Sequence, residues 1–235
     1  MTEPKTVLAD AVYERLKARI MDQGYPPRER LNIDALAVDL SVSPTPIREA
    51  LARLSAERLV TFAAFKGYRV SPLLTTAQVE DLMHVRRLIE VDAARLAARR
   101  ILIPDLITVE RLLQQILDES AGVEVGSWSH GYRQFNQLDR QFHEIIVSAA
   151  GNQFLLGAYR SLNVHIELGR FYNVFREMDQ AETCVEHDAI FQALRARQPD
   201  AAADAVERHL HATEDRIFRL IEKYSHPQGS NGATP

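Results

Sequence analysis

The chain has 235 residues, 46% hydrophobic and 26% charged, a composition that supplies ample core and excludes a largely disordered protein. No N-terminal apolar run resembles a signal peptide and no segment approaches the roughly 18 consecutive apolar residues of a membrane helix, so a cytoplasmic protein without a membrane partner is expected. The single Cys184 excludes an intramolecular disulfide, and the net charge of −4 exerts no general pull on nucleic acid, although residues 1–74 carry 11 Lys and Arg against 9 Asp and Glu and the remainder 17 against 23.

Apolar residues at helical spacing (Val7, Leu8, Val12, Leu16, Ile20) predict a first helix that Gly24-Tyr25-Pro26-Pro27 stops. A second, from about Ile33 to Leu40, follows a capping Asn32. The third starts at Ser43 or Pro44 and runs to about Arg58, with Ile47, Leu51 and Leu54 inward. Only Ser41-Val42-Ser43 separates the last two, the length of a helix-turn-helix turn. Pro44 and Pro46 are tolerated there because a first helical turn needs no amide donors. After Leu59 the pattern becomes extended, and Val60, Phe62 and Phe65-Lys66-Gly67-Tyr68-Arg69-Val70 predict a hairpin with Gly67 in its turn. A border is expected near 71–75, where Thr75 or Thr76 caps the next helix.

From there to about Tyr224 only helical patterns occur, at about 76–100, 104–120, 130–149, 152–172, 178–197 and 200–224. The breaks are Pro104, Gly122 to Gly126, Gly151-Asn152 and Pro199. The expected fold is mainly α: a winged helix-turn-helix over 1–74, an antiparallel helical bundle over 75–225, and a disordered tail over 226–235. In a winged helix-turn-helix the third helix enters the major groove N-terminus first. Ser43 and Thr45 offer hydroxyls to phosphate, Arg48 reaches a phosphate or a guanine edge, and Lys66 and Gly67 lie at the wing tip near the backbone or minor groove. The alternative is that the serines and threonine are ordinary caps.

The run LAVDLSVSPTPIREALARLSAERLV followed by FKGYRV resembles the N-terminal domain of the GntR family of bacterial transcription regulators. Ser43, Thr45, Arg48 and Gly67 match positions that contact DNA in that family. Pro44 stands where members commonly carry Arg, and Asp34 where some do. The resemblance therefore implies a double-stranded DNA operator without implying its sequence. Two-fold symmetric half-sites imply a homodimer.

In the helical part, His187 has Cys184, Ile190 and Phe191 at helical spacing and faces inward, His209 has Val206 and Thr213, and Asp139 and His143 are one turn apart. His211, among Glu207, Arg208, Glu214 and Asp215, belongs in solvent. Asp139, His143, His187 and His209 thus come from three helices. Periodicity alone favours separate hydrogen-bonded core residues over mutual satisfaction around a cation, for which imidazole and carboxylate donors would suit Zn, Ni, Mn or Fe. The segments QLDRQFHEIIVSAAGN, EHDAIFQALRARQPDAA and ERHL are similar to the FCD ligand-binding domain in the fatty-acid-regulator branch of the GntR family. Its metal-binding members place an Asp, a His four later and two further His about twenty-two apart, the order of Asp139, His143, His187 and His209. The resemblance implies a divalent transition metal, zinc foremost, with open positions for a small organic acid effector, and a repressor under that effector's control. Arg86, on the inward face of its helix, is the expected effector-binding cation, with a salt bridge to Glu90 at i+4 as the equal alternative. A metal-dependent hydrolase or lyase acting on a small carboxylate is the other functional class. Against it stand the absence of HExxH and of paired ExxH motifs and the lack of a second carboxylate as general base.

Overall fold

The structure is a computed structural model that describes residues 5–121, 128–163, 168–172 and 180–225; the expected tail over 226–235 lies outside the described residues. Contacts divide the chain into two compact units, Met1–Leu73 and Leu74–Pro235.

In the first unit, α1 (Lys5–Met21) precedes β1 (Arg30–Leu31), α2 (Ile33–Asp39), α3 (Pro44–Ala56), β2 (Val60–Ala63) and β3 (Gly67–Val70). Asn32 caps α2 by accepting from the amides of Asp34 and Ala35. The α2–α3 turn closes with Ser41 at φ +55 and the Val42 amide donating to the Ala37 carbonyl, so a left-handed residue ends one helix and re-aims the chain within four positions. Ile47, Leu51 and Leu54 of α3 are fully buried with Leu16 and Ile20 of α1. A polar contact closes the same interface: Glu57 accepts from Tyr13 Oη, and Lys17 Nζ lies 2.8 Å from its other oxygen. The sheet has the order β1-β3-β2, all antiparallel. Strand β1 is an element the sequence did not announce, because two residues carry no periodicity; its partner is Arg69-Tyr68.

In the second unit, α4 (Thr76–Arg100), α5 (Ile103–Ala121), α6 (Trp128–Ala149), α7 (Gln153–Ser161), the helical residues 168–172 (α8), α9 (Gln180–Arg195) and α10 (Pro199–Ser225) build a helical bundle. Thr75 and Gln78 form a reciprocal capping box at the start of α4, satisfying two of the amides that a helix start leaves open. Pro104, the expected start of the helix, is the second residue of α5, a first-turn position where its missing amide costs nothing. The single helix expected over 152–172 is broken: α7 ends at Ser161 and Asn163 takes φ +50, a left-handed conformation that Asn tolerates and a continuing helix does not. Helix α4 is the spine of this unit, packing on α6, α7, α9 and α10, with Ala93, Ala94, Ala97 and Ala98 wholly buried. These small residues let the backbones approach closely.

Ser43 occupies the N-cap position of α3, yet its side chain makes no capping hydrogen bond. Ser43→Ala is therefore expected to change stability by less than about 0.5 kcal/mol, against about 1 kcal/mol for a working cap. Leu51→Ala, at a wholly buried site, is expected to cost about 2–5 kcal/mol. Urea unfolding of the two variants against the parent chain measures both.

Candidate metal centre and DNA-reading surface

Helix α6 carries Asp139 and His143, α9 carries Glu186 and His187, and α10 carries His209 and Arg216. Their inward faces meet. His143, His187 and His209, all buried, each bring a ring nitrogen to within 4.8 Å of the others. Asp139 Oδ1 lies 3.4 Å from His187 Nε2 and 3.8 Å from His143 Nε2. Donors bonded to a zinc-sized ion at about 2.0–2.1 Å stand roughly 3–3.5 Å apart, so small side-chain adjustments close the set.

Two imidazoles have a carboxylate on the nitrogen turned away from the centre. His143 Nδ1 is 2.8 Å from Glu90 Oε2, and Glu90 in turn receives Arg86 Nε at 2.7 Å, all three side chains being almost fully buried. His209 Nδ1 is 2.7 Å from Glu186 Oε2, and Glu186 is gripped by both terminal nitrogens of Arg216 at 2.6 and 2.9 Å. His187 differs. Its ring stacks on Phe142 with centroids 4.2 Å apart, and neither of its nitrogens has a hydrogen-bond partner among the described residues. Burying such groups unsatisfied costs on the order of 1–3 kcal/mol. A cation at the centre would satisfy His187 Nε2, and the donor set of imidazoles and carboxylate without thiolate fits a divalent transition metal.

Electrostatics keep the donors competent. Burial pushes the His187 pKa well below its ordinary value, and the neighbouring His209 adds to this against the pull of Asp139. Burial lowers that of His209 to about 4 despite its hydrogen bond to Glu186. Both rings are thus neutral at neutral pH. For Glu186, burial opposes ionisation, but the hydrogen bonds from Arg216 and His209 prevail and lower the pKa to about 2. Burial likewise opposes ionisation of Glu90, and the Arg86 charge with the hydrogen bonds from His143 and Arg86 holds it well below the carboxylate range.

Arg86 sits where inward periodicity placed it, with its guanidinium on Glu90 as in the i+4 alternative and its Nη1 near Met83 Sδ at 3.9 Å. Arg87 pairs across helices with Glu214 at 2.6 Å. His211 is exposed, as its charged neighbours required. Sequence reasoning missed Glu186, Arg216 and the second role of Glu90. The Arg216–Glu186 pair spans 30 positions and leaves no local signal; Glu186 adjoins His187, and adjacency on a helix says nothing of a contact with His209.

In the first unit Ser43, Thr45 and Arg48 are exposed along the start of α3. Of its first four residues two are prolines, so only Thr45 and Ile47 bring amides to that end. In the hairpin tip Lys66 donates its amide to the Ala63 carbonyl, and Phe65 and Gly67 take φ +63 and +74, Gly67 being the position where that backbone carries no side-chain penalty. Lys66 is exposed.

Residues 8–70 match the model of the bacterial regulatory proteins of the gntR family, and residues 81–212 match that of the FCD domain. The chain belongs to the GntR family. It is 32% identical over 198 residues to the Nta operon transcriptional regulator of Aminobacter aminovorans, an alignment covering 84% of this chain and 88% of that one. It is 26% identical to the galactonate operon transcriptional repressor of Escherichia coli, covering 94% of this chain and all of the relative. Among solved structures, E. coli McbR/YncC superposes with a TM-score of 0.70 at 21% identity, over 92% of this chain and 98% of that one. At that identity the likeness speaks for the fold alone. As a GntR member with an FCD domain the chain is a DNA-binding transcription regulator and not an enzyme. Among the described residues no helix is long and apolar enough to cross a membrane.

The shifted histidines set the pH response of the metal-free protein. His187 and His209 have folded-state pKa values below the unfolded 6.5, so on acidification the unfolded chain takes up protons first. Stability is expected to fall from pH 6.5 to about 4, by roughly 3 kcal/mol from His209 alone. The lowered carboxylates act in the same direction at lower pH: Glu186 stabilises above about 4.5 and loses this as pH falls through about 2. Denaturant unfolding of chelator-treated protein between pH 7 and 4 tests this, and His187→Gln with His209→Gln should flatten the slope.

Proposed function

We propose that this GntR regulator is a homodimeric, cytoplasmic repressor whose operator affinity is set by a small organic acid bound at a divalent metal held by Asp139, His143, His187 and His209. The observation that carries the reading is the convergence of three buried imidazoles in a core where His187 has neither nitrogen hydrogen-bonded among the described residues. Zinc suits the donors best, with Ni, Mn or Fe as alternatives. The charges favour an anion. Arg86 cancels Glu90 and Arg216 cancels Glu186, so a divalent ion beside the Asp139 carboxylate leaves about one positive charge at the centre. A carboxylate or hydroxyl oxygen of the effector would complete the coordination, with Arg86 Nη1 as a further donor toward it. The effector then acts by binding two arrangements of the dimer with different affinity.

On the DNA side, the uncapped hydroxyl of Ser43, the exposed Thr45 and Arg48 and the wing-tip Lys66 and Gly67 support contacts from α3 and the wing. The relatives named as operon regulators, one of them a repressor, support the direction of control. A homodimer is supported by the match between two-fold symmetry and palindromic operators.

Two expectations follow. In duplexes selected from a random pool with this protein, Arg48→Ala weakens binding about 10–100-fold, whereas Lys66→Ala weakens all sequences alike and lowers the salt slope by about one; fluorescence anisotropy reads both, and unaltered binding by Arg48→Ala contradicts the assignment. His187→Ala with His209→Ala loses stoichiometric metal by elemental analysis, and full retention refutes the ligand set.

A further inference from the structure

Resting on the metal reading above, we propose that Glu90 and Glu186 are positioning residues for the metal: two carboxylates, the first buried and the second partly so, each anchored by its own arginine, that fix the tautomer and orientation of His143 and His209. The two clusters repeat one pattern on different helices. Arg86 and Glu90 of α4 hold His143 of α6; Arg216 of α10 and Glu186 of α9 hold His209 of α10. In each, the carboxylate accepts from Nδ1–H, which leaves the lone pair on Nε2 as the one a cation can use. For His143 that nitrogen is the one beside Asp139.

The anchoring arginines matter as much as the carboxylates. A buried glutamate left to itself would take up a proton or turn away; an arginine on its other face keeps it charged and aimed. A charged acceptor also makes the imidazole a stronger donor to a metal. His187 lacks such a partner among the described residues and is held by the face of Phe142. The centre therefore has two imidazoles locked before metal arrives and one that settles when it does. Arg86 consequently acts on the metal through Glu90.

Glu90→Asp and Glu186→Asp keep a charge opposite each arginine but are too short to reach the imidazole in its present place, while Glu90→Gln and Glu186→Gln keep the length and lose the charge. The purified full-length chain is titrated with Zn(II) against a competing chelator, and its Co(II) form is followed by visible absorption. The expectation is a 10–100-fold loss of Zn(II) affinity in each variant with a shift of the Co(II) ligand-field bands. Glu214→Gln, which breaks the Arg87 pair outside the donor set, should leave both readouts as in the parent. Thermal melting by circular dichroism identifies variants that remain folded at the titration temperature, and the Asp forms serve where a Gln form does not. Folded variants with parental affinity and parental Co(II) bands overturn the inference. A parent chain that takes up no Zn(II) or Co(II) instead overturns the metal reading on which it rests.

Discussion

Around the candidate metal centre the second unit has to accommodate the imidazoles of His143, His187 and His209, the carboxylates of Glu90, Asp139 and Glu186 and the guanidinium groups of Arg86 and Arg216, where water does not reach most of them. Each would be costly alone. The structure solves the problem by pairing: Arg86 with Glu90, Arg216 with Glu186, and each glutamate with one histidine. What remains, His187 and the convergent ring nitrogens around Asp139, is a set of donors facing one point. The packing of α4, α6, α9 and α10 is the frame that keeps this point in place, and the four buried alanines in the C-terminal half of α4, Ala93, Ala94, Ala97 and Ala98, permit a close approach of the helices.

Under the proposed reading, ligand and metal would share this one polar centre, and a change of coordination there would be felt by side chains from three helices, α6, α9 and α10, at once. Helix α4 adjoins them through Glu90, and it is also the first helix after the border at residue 73.

Much of the fold was legible because it obeys simple periods. The three N-terminal helices, the short turn and the hairpin followed from apolar spacing, the prolines and the glycine, and the capping of α4 from Thr75. The break after α7 was not legible: Leu162-Asn163 carries neither Gly nor Pro, and a left-handed Asn is a choice the tertiary structure makes. At the centre, Asp139 and His143 lie one turn apart, and the inward positions of His187 and His209 follow from their neighbours. The pairing of Glu186 with His209 and Arg216, and of Glu90 with His143, depends on which helices adjoin and could not be read from one strand of letters. Arg86 shows the limit well. Periodicity placed it inward, but only the packing shows its guanidinium on the same glutamate that holds a histidine.

X-ray absorption at the metal edge, on protein loaded to one equivalent of Zn(II), tests the central claim most directly. The account predicts a first shell of about three imidazole nitrogens with oxygen at about 2.0–2.1 Å, including the multiple-scattering signature of histidine rings. A shell of oxygen alone, or one containing sulfur from Cys184, would contradict it.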